Sequence, residues 1–126
     1  MANPVVHFEL ISPDPTCPGE FYSELFGWNP PVGVLVSAAV SEETEYSFIS
    51  PEAGRGAAAG GIGGAEGFAT HAIFYVGVDD VAGALTTAQR LGATVVLHAH
   101  RNEGGHVTVG YFRDPAGNLG GVARPE

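Results

Sequence analysis

An internal duplication restricts the fold of this chain more than any other feature. A strand, a helix and three further strand segments follow one another in residues 4–64, and the same order returns in residues 70–124. Two such units of about 60 residues each predict an α+β fold. The chain has 126 residues, which favours a single domain spanning residues 1–126, with module one at about 4–64 and module two at about 70–124.

Residues 4–12 have the composition of a strand that opens module one. Side chains alternate between the two faces of a strand, so His7 and Glu9 share one face with Val5 and Ile11. Two polar groups on one face are unusual in so apolar a strand. The opposite face is predicted to lie in the core, and its members are Val6, Phe8 and Leu10.

Signals for a helix and two more strands come next in module one. The helix is predicted to have its cap at Asp14 or Cys17 and its stop at Gly27. Residues 34–40 and 45–50 then have strand character.

Residues 53–67 are mostly glycine and alanine. That composition fits both a flexible loop and a glycine-rich strand. In a strand, glycine usually marks the close approach of another backbone or of a ligand. A phosphate-binding loop is excluded because the stretch contains no lysine.

Module two repeats this order with clearer signals. A strand begins at His71, Asp79 and Asp80 are predicted to cap a helix, and Gly92 is predicted to stop it. One helix face is apolar and consists of Val81, Ala84, Leu85, Ala88 and Leu91. Three strands complete the module at residues 94–100, 106–112 and 119–123.

The charged residues exclude several kinds of chemistry. There are 14 acidic and 5 basic side chains, for a formal net charge of −9, and every basic residue is an arginine. The absence of lysine excludes Schiff-base catalysis, and the acidic balance argues against nucleic acid as a partner. Cys17 is the only cysteine, so no disulfide is expected. No signal-like or membrane-spanning segment is visible, so we expect a cytoplasmic protein without a membrane partner.

Motifs in both modules resemble the vicinal oxygen chelate superfamily of glyoxalases, bleomycin-resistance proteins and extradiol dioxygenases. This resemblance implies two βαβββ modules that form a curved mixed sheet around a cavity, and it implies a homodimer. The motifs span essentially the whole chain in order. They are residues 7–10, 14–15 and 20–28 in module one, and residues 75–81, 91–93 and 112–118 in module two.

The usual metal ligands of that superfamily are largely missing from this sequence. His7 lies seven residues before Asp14, as the resemblance requires, but the corresponding position before Asp80 is Ile73. Gly121 stands where metal-binding relatives have a glutamate, and residues 60–64 offer no ligand. The chain therefore resembles a branch without the usual ligands, and we expect no metal and no other cofactor. An alternative metal set remains open, consisting of His7, Glu9 and His71.

Candidate site residues follow from the strand faces and the family resemblance. A carboxylate beside an imidazole, as in Glu9 and His7, suits a general base with an orienting partner, and Tyr75 is placed to donate a hydrogen bond to an enolate or carbonyl oxygen. The alternatives are that His7 and Glu9 bond to each other and fill space, and that Tyr75 is a core residue. Four further residues are predicted to contact the substrate, and they are Tyr46, Phe48, His71 and Tyr111.

Other polar residues are assigned structural roles. His98 and His100 share a strand face whose end is predicted to be solvated, and the faces of the later strands, including that of His106, depend on registers that alternation cannot set. Residues 114–118 have the composition of a turn.

These features favour a small-molecule-binding protein that catalyses metal-independent acid–base chemistry. The reaction classes considered are isomerisation, cyclisation and lyase chemistry on a carbonyl-containing or aromatic metabolite. The alternative is a non-catalytic protein that sequesters an antibiotic, as bleomycin-resistance proteins do, and the net charge of −9 would suit a cationic one. A metal-dependent glyoxalase or dioxygenase ranks last because the ligands are missing.

Overall fold

The α+β class is confirmed in the computed structural model, which describes residues 2–28, 40–41, 46–49, 59–101 and 107–125. In the described residues, each half of the chain begins with a strand and a helix and continues with further strands. The predicted strand at 34–40 lies outside the described residues except for Val40. The described elements are β1 (Val5–Ser12), α1 (Thr16–Phe26), β2 (Ser47–Ile49), β3 (Ala59–Gly64), β4 (His71–Gly77), α2 (Val81–Arg90), β5 (Thr94–Arg101), β6 (Val107–Arg113) and β7 (Leu119–Pro125).

The chain divides into two compact units that follow the duplication closely. The first unit comprises residues 7–72, and the second comprises residues 1–6 together with residues 73–126. The single domain proposed from the sequence stays a prediction. Neither described helix, of 11 and 10 residues, is long and apolar enough to cross a membrane.

Three strands of the first unit lie in the order β2, β3, β1. The glycine-rich strand β3 is central, parallel to β1 and antiparallel to β2. The register places Gly61 beside Glu9 on one side and beside Phe48 on the other. These three positions therefore lie on the same face of the sheet.

The predicted stop of helix α1 is confirmed, but its predicted cap is wrong. Gly27 has φ +74° and its N–H donates to the Ser23 carbonyl at 2.8 Å. The N-cap is Pro15, not Asp14 or Cys17, and it makes no side-chain capping bond. Pro15 already has helical dihedral angles, φ −70° and ψ −14°, so the helix begins before Cys17.

The two faces of β1 are buried in the opposite sense to the prediction. Glu9 is 3% exposed and Ile11 is 1% exposed, whereas Phe8 and Leu10 on the predicted core face are only partly buried. Tyr46 packs against the face that contains Glu9, as described below. Alternation identified which side chains share a face but not which face a neighbour covers.

The glycines of β3 provide space for aromatic rings. A Cβ at Gly60 would overlap the ring of Phe8 on one face, and a Cβ at Gly61 would overlap the phenol of Tyr46 on the other. Of the two readings left open for residues 53–67, the strand is therefore confirmed at Ala59–Gly64. The approaching group is a side chain at Gly60, Gly61 and Gly63, whereas a Cβ at Gly64 would overlap the backbone of Ser12.

The second unit orders its strands β4, β7, β6, β5, and helix α2 packs on the sheet. The Asp80 side chain accepts a hydrogen bond from the Gly83 N–H at 3.0 Å, which confirms the predicted cap. Leu91 was predicted to lie on the apolar face but is 67% exposed, because it follows the last helical residue. The buried cluster consists of Val81, Leu85 and Val122.

Edge strand β5 is irregular. Its antiparallel register with β6 shifts once between Val95 and Leu97, and again between Leu97 and His100. Such shifts are β-bulges, which bend a strand and interrupt its regular pairing.

Residues 114–118 form the predicted turn between β6 and β7. One carboxylate oxygen of Asp114 accepts from the N–H groups of Ala116 and Asn118 at 2.9 Å each, and the other accepts from the Asn118 side-chain amide at 3.0 Å. These bonds, led by that of the Asn118 side chain, lower the pKa of Asp114. Gly117 within the turn has φ +95°.

We expect the change Gly117→Ala to lower the free energy of unfolding by about 1–2 kcal/mol, because an L-residue is strained at positive φ. Urea unfolding monitored by circular dichroism measures this loss. Gly19→Ala is the matched control, since that glycine lies inside α1 with open space around its Cβ position. The control should gain up to about 1 kcal/mol through helix propensity. Equal losses in the two variants would contradict the prediction.

Candidate functional site

A chain of two hydrogen bonds joins His7, Tyr46 and Glu9 in the first unit. The His7 Nε2 atom lies 3.0 Å from the Tyr46 hydroxyl oxygen, and that hydroxyl donates to Glu9 Oε2 at 2.9 Å. His7 and Glu9 come from the same face of β1, and Tyr46 immediately precedes β2. We call this group the His7 relay. The sequence predicted that His7 and Glu9 would be neighbours, and the structure adds a phenol between them.

The direction of these bonds specifies the protonation of the imidazole. A tyrosine hydroxyl has one proton, and here that proton is donated to Glu9. Toward His7 the phenol oxygen can therefore only accept, so Nε2 bears the hydrogen. In the neutral ring the lone pair is then on Nδ1.

Burial keeps this imidazole neutral. Desolvation lowers the pKa of His7 from 6.5 to about 4, so the ring is uncharged at neutral pH. Glu9 and Tyr46 are more deeply buried, at 3% and 2% exposure. Through the hydroxyl of Tyr46, the buried Glu9 carboxylate can stabilise the positive charge that His7 gains when it takes up a proton.

Phe48 on β2 contacts the same imidazole. Its ring is nearly parallel to that of His7, with an angle of 15° between planes and 6.0 Å between centroids. Two of the residues predicted to bind substrate, Tyr46 and Phe48, therefore lie beside the predicted base.

Tyr75 and Tyr111 form a second aromatic pair, in the second unit. Their centroids are 6.2 Å apart with the rings at 68°, and the two side chains are 2% and 7% exposed. Gly121 pairs with both residues, and a Cβ there would come within 2.6 Å of the Tyr75 ring. The position that lacks a glutamate is thus covered by an aromatic ring. The role of Tyr75 in catalysis stays a prediction.

His71, at the start of β4, is held by a local contact. Its Nδ1 lies 2.9 Å from the Ala69 carbonyl, which can only accept, so Nδ1 bears a hydrogen. Its Nε2 is buried and has no hydrogen-bond partner among the residues that the structure describes. On β5, His98 and His100 are exposed, as the solvated strand end predicted, while His106 lies outside the described residues.

The described residues do not provide the set of ligands that a divalent metal requires. Within residues 2–28, 40–41, 46–49, 59–101 and 107–125, no three His, Cys, Asp or Glu side chains come together. In the relay, the Tyr46 hydroxyl bridges the two side chains that would have to share a metal. Zinc requires three or four donors and the harder cations require more, so we derive no step through a metal.

Sequence reasoning missed two features of this site. Tyr46 was predicted to contact substrate, which stays a prediction, and its bridging of the base and the carboxylate was not foreseen. Gly61 was not singled out, although it provides the space for that phenol. The glycine-rich composition of residues 53–67 was the available signal, because it indicated a close approach without naming the group that approaches.

Comparisons with known proteins agree with this fold. The model of the glyoxalase/bleomycin resistance protein/dioxygenase superfamily matches residues 5–120. No curated protein matches the sequence.

Solved structures share the fold at low sequence identity. A hypothetical protein from Bacillus halodurans is 10% identical with a TM-score of 0.68, over 100% of this chain and 96% of that one. A methylmalonyl-CoA epimerase variant from Streptomyces coelicolor, in complex with 2-nitronate-propionyl-CoA, is 16% identical with a TM-score of 0.64, over 98% and 95%. A superfamily member from Vibrio splendidus is 13% identical with a TM-score of 0.60, over 98% and 99%.

Proposed function

Because the chain belongs to the glyoxalase/bleomycin resistance protein/dioxygenase superfamily, we propose that it binds a small carbonyl compound and transfers a proton at the carbon next to the carbonyl group. The observation that supports this proposal is the His7 relay, with hydrogen bonds of 3.0 and 2.9 Å from imidazole to phenol to carboxylate. Isomerisation, cyclisation and elimination of a carbonyl compound can each start with such a proton transfer.

In this proposal His7 is the general base. Its neutral ring has the lone pair on Nδ1, and general bases of this kind must be unprotonated at the working pH. Burial alone would make the imidazole a weak base, since the pKa of His7 is about 4. The imidazolium that forms during the reaction is linked through Tyr46 to the buried Glu9 carboxylate. This is how the carboxylate of a Ser-His-Asp triad orients and stabilises its histidine.

For the other predicted residues, we propose the roles that the sequence suggests. We propose that Tyr75 donates a hydrogen bond to an enolate or carbonyl oxygen. Phe48, His71 and Tyr111 would contact the substrate. We also propose that the protein acts as a homodimer, which the family resemblance implies, and sedimentation velocity is the direct measurement of that state.

The Streptomyces coelicolor neighbour guides the choice of first substrates. That protein is an epimerase with a propionyl-CoA derivative bound. At 16% identity this similarity shows only that the fold is shared. We therefore use it only to choose which compounds to test first. Acyl-CoA esters come first, followed by 2-oxo acids, hydroxyketones and aromatic ketones.

Hydrogen exchange in heavy water tests the proposal without knowledge of the final product. The protein is incubated with each compound in D₂O, and loss of the proton next to the carbonyl group is followed by NMR. We expect at least one compound class to exchange faster with the protein than without it. Tight binding of a compound that is recovered without deuterium would contradict the proposal and would favour sequestration.

A further inference from the structure

We propose that Gly61 is a positioning residue for the His7 relay: the side chain it lacks leaves the space that the Tyr46 phenol needs to bond His7 and Glu9 together. The inference rests on the proposed function for its consequence in catalysis. Its structural basis stands on the packing of the first unit alone.

The sheet register places Gly61 at the centre of the site. It lies beside Glu9 across the parallel pairing with β1, and beside Phe48 across the antiparallel pairing with β2. Neighbouring positions in register present their side chains to the same face. A side chain at position 61 would therefore emerge between those of Glu9 and Phe48, which is the place that the Tyr46 phenol occupies.

The contact is with the end of the phenol that makes the hydrogen bonds. The nearest atoms to a Cβ at Gly61 would be the hydroxyl oxygen of Tyr46, then Cζ and Cε1, and the Cβ would overlap all three. A Cβ at Gly63 would instead meet Cδ2 of the same ring at 2.6 Å and Oγ of Ser41 at 2.7 Å. Among the described glycines only Gly61 has the relay hydroxyl as its nearest neighbour.

The phenol has little freedom to move away from a larger residue. Tyr46 is 2% exposed, so solvent does not offer it an alternative position. A displacement large enough to relieve the overlap would lengthen the 2.9 Å bond to Glu9 and the 3.0 Å contact with His7. Hydrogen bonds weaken steeply outside their normal range of distance and angle. The expected result of a methyl group at position 61 is a histidine that has lost its fixed tautomer.

A glycine could also be present only because the strand needs it, and Gly60 is the matched control for that possibility. A Cβ at Gly60 would overlap the Phe8 ring, on the face away from the relay. Gly60→Ala and Gly61→Ala therefore introduce the same methyl group at adjacent positions of one strand. Both are expected to lower the Tm by about 5–15 °C through overpacking.

The nitrogen chemical shifts of the His7 ring separate the two explanations. In the unaltered protein we expect the shifts of a neutral ring with hydrogen on Nε2. Gly61→Ala should change them in the same direction as Tyr46→Phe does, whereas Gly60→Ala should leave them unchanged. Unaltered His7 shifts in Gly61→Ala, or equal changes in both glycine variants, would overturn the proposal.

A second measurement applies if Gly61→Ala does not fold. Tyr46→Leu removes the hydroxyl, Cζ and Cε1, which are the atoms that an alanine at 61 would meet. In that background Gly61→Ala should change the Tm by less than about 3 °C, because additivity fails only where the two side chains interact. Failure of Gly61→Ala to fold in the Tyr46→Leu background as well, or a Tm loss there of about 5–15 °C, would overturn the proposal. Neither readout uses a substrate, so a negative hydrogen-exchange result would reject the proposed function and leave this test intact.

Discussion

Replacement of His7 by glutamine is expected to slow hydrogen exchange of the substrate by about 10²–10⁴-fold, the usual contribution of a general base. Glutamine is similar in length and polarity, and its amide cannot take up a proton at neutral pH. The measurement is the initial rate of deuterium incorporation at saturating concentration of whichever carbonyl compound exchanges in the unaltered protein. Circular dichroism confirms that the variant is folded.

Two further variants test whether the loss of exchange is specific to His7 and its link to Glu9. His98→Gln removes an exposed imidazole from β5 and should leave the rate unchanged. Tyr46→Phe keeps the base but disconnects it from Glu9, and a hydrogen bond to a charged group contributes enough to predict a loss of about 10–100-fold. A His7→Gln variant that exchanges at the full rate would show that another group is the base.

Acidification from pH 6.5 to pH 4 is expected to remove about 3 kcal/mol of stability through His7 alone. The pKa of this residue is lowered from 6.5 to about 4 by burial, so in this range the unfolded chain binds a proton that the folded protein does not. Stability therefore rises with pH between about 4 and 6.5 and falls as pH is lowered through that window. Below pH 4 both states hold the proton, and this contribution stops changing.

Urea unfolding at several pH values measures the effect, and His7→Gln isolates it. Carboxylates also titrate near pH 4, but they are the same in both proteins, so the difference between the two pH profiles reports His7. The profiles should diverge below pH 6.5 and become parallel below pH 4. Parallel profiles throughout would mean that the imidazole is solvated in the folded protein.

The order of elements was predictable from local patterns, and module two shows why. The cap at Asp80 and the alternation of α2 depend on residues within one or two turns of each other. Residue types alone therefore specify such features. Burial was harder to predict than the order of elements. Leu91, for example, has the right spacing for the apolar face of α2 but lies past the end of the helix.

The candidate site was predictable only in part for the same reason. Alternation on β1 correctly placed His7 and Glu9 together, because that inference needs one strand. The position of Tyr46 depends on how β2 pairs with β3, and a shift of one residue would turn every side chain of a strand to the other face. The burial of Glu9 likewise depends on that pairing. The glycine-rich composition of residues 53–67 left a loop and a strand both open, and the structure shows a strand in which Gly61 faces the Tyr46 phenol.

The two register shifts in β5 have a consequence for the behaviour of the protein at high concentration. This strand is the outermost of its unit, and a regular outer strand presents a row of unpaired N–H and C=O groups to which a second chain can add. The bulges break that row between Val95 and His100, so another strand could pair with only a few residues at a time. We expect β5 to be a poor template for strand addition. Its exposed edge is therefore protected from aggregation by pairing with the edge strand of another chain.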